Sequence, residues 1–117
     1  MKHLVNHIIK NGGVTYNLMG GRYITSGFIC SKSGNETVIK GHVTEHDILA
    51  YMAKYSSDLQ KPNAHLGAWY NKADGRTYLD TSFCFETLDE AVSFGKIHNQ
   101  ICVFNLDTLE EIHLQEA

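Results

Sequence analysis

Apolar residues recur along the chain with two periods, one typical of helices and the other of strands. Residues 2–10 carry apolar pairs four positions apart, the spacing of one helical face, and residues 45–60 and 88–98 show a comparable stripe. Thr44 and Thr87 precede the last two segments as predicted N-caps, because each is followed three positions later by an acidic residue. The pattern therefore predicts three helices.

Between these helices, apolar residues alternate with polar ones, which is the two-residue period of a β-strand. The segment 14–18 alternates in this way, the β-rich segment 22–30 is interrupted at Gly27, where we expect a bulge, and 36–41 returns as a partner strand. Later strands are predicted at 66–71, 76–81, 101–106 and 110–114, the last at a sheet edge.

The two middle strands form the clearest hairpin, because Asp74 and Gly75 between them are a strong turn signal. Along the first of these strands, Trp69 and Tyr70 point to opposite faces, so large apolar groups are expected on both. Either both faces are covered by other parts of the chain, or one face presents Trp69 and Tyr78 as a contact surface. The sequence leaves both interpretations open.

Together these elements predict one α+β domain over residues 1–117. Seven segments carry a strand pattern, and the expected order, α-ββ-α-ββ-α-ββ, places about six strands as hairpins after three helices. The expected packing is one antiparallel or mixed sheet with helices on one side. A length of 117 residues suits a single core, and 43% hydrophobic with 20% charged residues is an ordinary globular composition.

The composition also restricts where the protein is expected to be located and which partners it is expected to bind. The chain has no apolar run near the roughly 20 residues that span a bilayer and no signal-peptide pattern, so we expect a cytoplasmic protein with no membrane partner. The formal net charge is -3 and the Lys and Arg residues are scattered, which argues against binding of duplex nucleic acid. Cys30, Cys84 and Cys102 lie in apolar neighbourhoods and are predicted to be buried thiols without disulfides.

Patterns for metals, cofactors and catalysis are sparse. His3 and His7 have the spacing of a metal-binding pair, but no pattern supplies a third ligand, and no metal is predicted. No glycine-rich loop precedes a helix, as a phosphate-binding loop must, so no cofactor is predicted. Asp80 is the best single candidate for acid–base chemistry because it ends a predicted strand, although a role as a hydrogen-bond acceptor explains it more simply.

Nearly the whole chain, residues 11–112, carries an ordered set of short patterns. They are Gly-Gly-x-Thr at 12–15, His-x-Gly-x-Trp at 65–69, Tyr-Leu-Asp-x-Ser at 78–82 and Asn-Gln at 99–100. In this order and spacing the chain resembles a family of small bacteriophage and prophage proteins. The resemblance implies an origin on a phage or mobile element, but no reaction. The residues that it singles out are His65, Gly67, Trp69, Tyr78, Asp80, Ser82, Asn99 and Gln100.

Three functions follow as hypotheses, and the first is preferred. It is a small non-catalytic accessory protein that binds a host protein and inhibits or modulates it, for example an anti-defence inhibitor of a CRISPR effector. Its expected contact surface comprises Trp69, Tyr70, Tyr78, His65, Asp80 and Asn99. The alternative is an enzyme or small-ligand binder directed at a nucleotide or nucleic acid, in which His65, Asp80 and Asn99 converge. A homo-oligomeric virion component is the second alternative.

Overall fold

Four helices and eight strands make up the part of the chain that the computed structural model describes, which is residues 2–32, 34–100 and 102–114. The helices are α1 (Lys2–Asn11), α2 (Glu45–Lys54), α3 (Ser56–Leu59) and α4 (Leu88–Ile97). The strands are β1 (Gly13–Asn17), β2 (Arg22–Tyr23), β3 (Phe28–Ser31), β4 (Thr37–Lys40), β5 (Ala64–Asn71), β6 (Arg76–Phe85), β7 (Cys102–Asn105) and β8 (Glu110–His113). The predicted α+β domain is confirmed, with more elements than the six strands and three helices expected.

All eight strands belong to one antiparallel sheet. Seven of them follow the order β2-β1-β5-β6-β3-β7-β8, and β4 also pairs with β6. β6 is the ten-residue centre of the sheet, and it pairs along one side with β5 from Ala64 opposite Phe83 to Asn71 opposite Arg76. The predicted middle hairpin is therefore confirmed, and it is longer at its open end than the sequence indicated.

β3 and β4 form one interrupted line along the other side of β6. Ser31 at the end of β3 lies opposite Ser82, and Thr37 at the start of β4 lies opposite Leu79. The two strands therefore run in the same direction, and the residues between them leave the sheet. The prediction that β4 returns as a hairpin partner of the segment before it is wrong, because each strand pairs with β6.

The predicted strand 22–30 consists of two short strands separated by residues 24–27, which we call the crossing segment. β2 lies at one end of the sheet, whereas β3 lies beyond β6, so these four residues pass across the sheet. The backbone N–H of Gly27 donates to the Asp107 carboxylate at 3.1 Å. The bulge expected at Gly27 is therefore the end of a crossover and not a defect within one strand.

All four helices pack on one face of the sheet, in agreement with the predicted layers. Leu66 and Leu79 lie on this face and belong to the main core, to which α1, α2 and α3 contribute. Cys30 of β3 lies opposite Phe83, which shares a face with Leu79 by strand alternation. The second core, under α4, therefore lies on the same face, and its buried members are Cys30, Ala91 and Val103.

Both predicted N-caps are present. The Thr44 hydroxyl accepts from the Asp47 N–H at 3.2 Å, and the Asp47 carboxylate accepts from the Thr44 N–H at 2.9 Å, which completes the capping box. The Thr87 hydroxyl accepts from the Glu90 N–H at 3.3 Å at the start of α4. These bonds satisfy helix N–H groups that have no partner within the helix.

The predicted helix 45–60 is broken near Tyr55. This residue has φ -111° and ψ 25°, so the α-helix ends there and a short helix, α3, follows. In α3, the Asp58 carboxylate accepts from Lys32 at 3.0 Å and from Asn35 at 2.9 Å. Both partners lie in the segment between β3 and β4, so these hydrogen bonds tie α3 to that segment.

The glycine in α4, Gly95, lies at a close approach of this helix to neighbouring side chains. A β-carbon on Gly95 would lie 2.6 Å from Leu114 Cδ1 and 3.2 Å from the Cys30 thiol. The helix backbone can therefore approach β3 only because the side chain is absent.

Candidate functional site

The face of the sheet opposite the helices carries three successive cross-strand pairs from β5 and β6. These pairs are His65–Ser82, Gly67–Asp80 and Trp69–Tyr78. They alternate with the pairs that face the core, so they share the other face. Within the described ranges no helix packs there, and we call this surface the helix-free face. All six residues belong to the set that the phage-protein resemblance singles out.

Trp69 and Tyr78 occupy the half of the helix-free face nearer the β5–β6 turn. Their ring centroids are 5.8 Å apart at an interplanar angle of 31°, and Trp69 is 56% exposed. Gly13 lies opposite Trp69, and Val38, which is 45% exposed, lies opposite Tyr78. We call these four residues the aromatic row. Of the two interpretations that the sequence left open, the structure therefore places Trp69 and Tyr78 on an exposed surface.

The turn beside the aromatic row fixes the Tyr78 phenol. Its hydroxyl donates to the Asp74 carboxylate, and this hydrogen bond raises the pKa of Tyr78 above its ordinary value. Lys40 and Arg76 lie opposite each other one register step closer to the turn, on the same face. Two cationic side chains and the Asp74 carboxylate therefore lie beside the exposed Trp69 and the half-buried Tyr78.

Asp80 lies at the centre of the helix-free face and is held by two hydroxyls. Its carboxylate accepts from Ser31 at 2.9 Å and from Ser82 at 2.6 Å. The residue keeps some exposed surface, but protein atoms surround its carboxyl group closely. This desolvation raises the pKa of Asp80, and the two hydrogen bonds lower it by less. The structural role of an acceptor, the simpler sequence interpretation, agrees with these contacts.

His65 is buried beside this carboxylate, with 4% of its surface exposed. Its Nε2 lies 3.5 Å from the Asn17 amide nitrogen, whereas its Nδ1 is buried and has no hydrogen-bond partner among the residues described. Burial is the largest cause that lowers the pKa of His65, and Arg22 acts in the same direction. Backbone groups of Asn63 and Ser82 act in the opposite direction. The imidazole is therefore neutral near pH 7.

The crossing segment covers the end of the helix-free face next to His65. The Cys84 thiol, which shares this face with Ser82, lies 3.6 Å from the Ser26 carbonyl oxygen. An open cleft of about 660 Å³ lies between the crossing segment and the ends of β5 and β6. Its polar lining includes Asn17, Arg22, Asn63, His65, Glu86 and Asp107.

Two residues of the expected contact surface lie elsewhere. Tyr70 points to the helix-covered face and stacks on His42, with 4.2 Å between ring centroids and an interplanar angle of 18°. Asn99 follows α4, which packs on that same face. The structure therefore brings His65, Asp80, Trp69 and Tyr78 together on one surface and does not place Tyr70 or Asn99 on it.

The contacts of the buried polar residues define the chemistry of this face. Ser82 donates to Asp80 and not to His65, and His65 faces the Asn17 amide, so among the described contacts of this face no serine hydroxyl is hydrogen-bonded to a histidine. In residues 2–32, 34–100 and 102–114, no three His, Cys, Asp or Glu side chains lie close enough to hold a metal ion. Of the helices described, none has the length and apolar character needed to cross a membrane.

Comparisons with known proteins yielded no relative: no protein-family model, no curated protein and no solved structure matches the chain.

Two residues of this face, Ser31 and Val38, were missed by sequence reasoning. Both lie on strands whose partner was assigned wrongly, because β3 and β4 were paired with each other. Once β4 is placed on β6, the register from Tyr78 leads directly to Val38. The alternating pattern of β4 identifies Val38 as a residue of this face, but only once β4 is known to pair with β6.

Proposed function

We propose that the protein is a non-catalytic binding protein whose aromatic row contacts a host protein and thereby inhibits or modulates it. The observation that carries this proposal is the exposed indole of Trp69, which rests on Tyr78 in a sheet face that no described helix covers. Trp and Tyr are common anchors of protein interfaces because they bury a large apolar area at a small loss of conformational entropy.

The charges beside the aromatic row indicate the chemistry of the partner. Lys40 and Arg76 lie next to Val38 and Tyr78, and neither takes part in the salt bridges found within the described part of the chain. Asp74, which accepts from the Tyr78 hydroxyl, and Glu36, whose charge raises the pKa of Tyr78, add negative charge to the same rim. Complementary charges steer association and exclude like-charged surfaces. We therefore expect an apolar pocket for Trp69 in the partner, with an acidic group facing Lys40 and Arg76.

The resemblance to small phage and prophage proteins supports a bacterial protein as the target and the host cytoplasm as the location. An anti-defence role, such as inhibition of a CRISPR effector, is the form of this function that we propose.

Affinity purification with matched variants tests the proposal. The full chain, carrying an affinity tag, is expressed in bacterial cells unmodified, as Trp69→Ala and as Ile97→Ala. Ile97 is a matched control, since it is an apolar residue on α4 that is 76% exposed. We expect one host protein to be retained by the unmodified chain and by Ile97→Ala, and at least about tenfold less by Trp69→Ala.

Two outcomes would contradict the proposal: retention of no specific protein, or equal loss with both variants. The retained protein is then purified, and its activity is measured with and without the unmodified chain. A binding partner whose activity does not change would limit the function to binding without inhibition.

The cleft beside His65 supports a second candidate, a small-ligand binder. Arg22 and Asn17 offer donors at one side of this cleft, and Glu86 and Asp107 offer carboxylates at the other. Titration with nucleoside monophosphates, followed by NMR shifts of the cleft residues, tests this candidate against Arg22→Ala. Light scattering of the free chain tests the third candidate, because a virion component must form oligomers.

A further inference from the structure

The outer edge of β4 has no partner strand in the part of the chain that the structure describes. β4 continues the line of β3 along β6, but of these two strands only β3 pairs with β7, through Phe28 and Ile29. The sheet is therefore stepped, and β4 forms a four-residue free edge at the side of the aromatic row.

The register shows which backbone groups point away from the sheet at this edge. The N–H of Gly41 donates to the Gly75 carbonyl oxygen at 2.8 Å. Hydrogen-bonded pairs alternate along an antiparallel ladder, so Ile39 and Thr37 also direct their backbone groups toward β6. The N–H and C=O groups of Val38 and Lys40 therefore point outward.

The end of this edge is held in place by a side chain. The Thr77 hydroxyl donates to the Gly41 carbonyl oxygen at 2.8 Å, directly after β4. Ile39 packs against the main core from the other face of the strand. β4 is therefore anchored through its inward groups, and its outward groups need no rearrangement before they pair.

The side chains beside the free edge continue the aromatic row and its charges. Val38 is 45% exposed and lies opposite Tyr78, whereas Lys40 lies opposite Arg76. A strand added along β4 would place one side chain against the exposed valine and another beside the lysine. An apolar residue and an acidic residue, two positions apart, would complement these neighbours.

We propose that an extended segment of the partner protein adds to the sheet as a strand at β4, through the backbone groups of Val38 and Lys40. The segment carries an apolar residue beside Val38 and an acidic residue beside Lys40. Main-chain hydrogen bonds provide affinity in such strand addition, and alternate side chains provide selectivity. This inference rests on the proposed function, since the partner is the protein that the aromatic row contacts.

A proline substitution tests the proposed strand addition at a single backbone N–H group. Val38→Pro removes an outward N–H and leaves the β4–β6 ladder bonds in place, and proline is tolerated on edge strands. The control Val38→Thr keeps the N–H and a β-branched side chain of similar size. The bait is the full chain, and the probe is the host protein that the unmodified chain retains. We expect at least about tenfold less retention by Val38→Pro than by Val38→Thr, because Val38→Thr reports the effect of the changed side chain alone.

Hydrogen–deuterium exchange of the purified complex gives a second measurement that uses only the unmodified chain, so it decides the matter even if Val38→Pro does not fold. The amides of Val38 and Lys40 are expected to exchange at least tenfold more slowly in the complex than in the free chain. Unchanged exchange at both amides would overturn the strand addition.

The outcomes separate this inference from the proposed function. Loss of the partner with Trp69→Ala but retention with Val38→Pro would leave the aromatic row as the interface and overturn the strand addition. Retention of no protein by the unmodified chain would overturn both. A free chain that is dimeric by light scattering, and becomes monomeric as Val38→Pro, would assign the edge to a second copy and overturn the proposed occupant.

Discussion

The carboxylate of Asp80 fills the space above the α-carbon of Gly67 on the neighbouring strand. A β-carbon on Gly67 would overlap the Asp80 carboxylate oxygen, and it would lie 3.0 Å from both Asp80 Cγ and the Ser82 hydroxyl. The two residues are a register pair between β5 and β6. Glycine is therefore required at position 67 by the buried acid opposite it.

This relationship predicts strong coupling between the two positions. Gly67→Ala should destabilise the protein by about 1–3 kcal/mol, the usual cost of overpacking. The same change in an Asp80→Ala background should cost much less, because the overlapping carboxylate is gone. Denaturant unfolding of the four chains of the double-mutant cycle measures the coupling, which we expect to be about 1 kcal/mol or more. Additive effects would show that Asp80 does not occupy this space.

Asp80 also predicts a dependence of stability on pH. Because burial raises its pKa in the folded chain, the folded state binds the proton more tightly than the unfolded state, whose ordinary aspartate pKa is about 3.9. Its contribution therefore favours folding at low pH and is lost as the pH rises from about 4 through the raised value. Asp80→Asn should remove this loss, so the variant gains stability relative to the unmodified chain between pH 4 and pH 8. Parallel pH profiles in denaturant melts would contradict the prediction.

The local features of the fold could be predicted from the sequence. Thr44 and Thr87 capped their helices as predicted, because a cap depends only on residues a few positions away. The faces of Trp69 and Tyr70 followed from strand alternation.

The pairing of strands far apart in the chain could not be predicted in the same way. β1 pairs with both β2 and β5, and β6 pairs with β3 and β4 along the same side. Pairing each strand with its neighbour in the sequence therefore does not reproduce the strand order of the sheet. Asp58, three positions after the helix break at Tyr55, contacts Lys32 and Asn35, which lie more than 20 positions earlier in the chain. Exposure of Trp69 likewise depends on which face the helices cover, and alternation along one strand does not contain that information.

His65 predicts a loss of stability in mildly acidic solution. Its folded pKa lies below its ordinary value of about 6.5, so the unfolded state binds the proton more tightly. The contribution of the neutral imidazole is complete above about pH 6.5 and falls as the pH decreases through and below that value. His65→Gln should flatten this part of the stability profile. Equal slopes in the unmodified chain and His65→Gln would refute the assignment.

Asp58 predicts a separate loss of stability at lower pH. Hydrogen bonds from Lys61, Asn35 and Lys32 hold the pKa of this carboxylate well below its usual range. Its contribution is complete above about pH 4, the ordinary aspartate value, and is lost as the pH falls below that value. Asp58→Ala should destabilise the chain at pH 7 by about 1–3 kcal/mol, through loss of charged hydrogen bonds, and should flatten the acid limb. Glu110→Ala, an exposed control, should do neither, and a full acid limb in Asp58→Ala would count against the assignment.

The three cysteines predict an ordered reaction with a thiol reagent. Burial is the main cause that raises the pKa of the Cys30 thiol to about 11, and burial also raises the pKa of Cys84 and Cys102. Only about one Cys30 thiol in a thousand is then ionised at pH 8, and its side chain is also the most buried of the three. With a disulfide reagent that releases a coloured thiolate, the folded chain should show two faster phases and one much slower phase. Cys30→Ala should remove the slow phase alone, and unfolding in denaturant should make all three thiols react at similar rates. A fast reaction of Cys30 in the folded chain would mean that β3 opens readily beneath α4, which would contradict the close packing at Gly95.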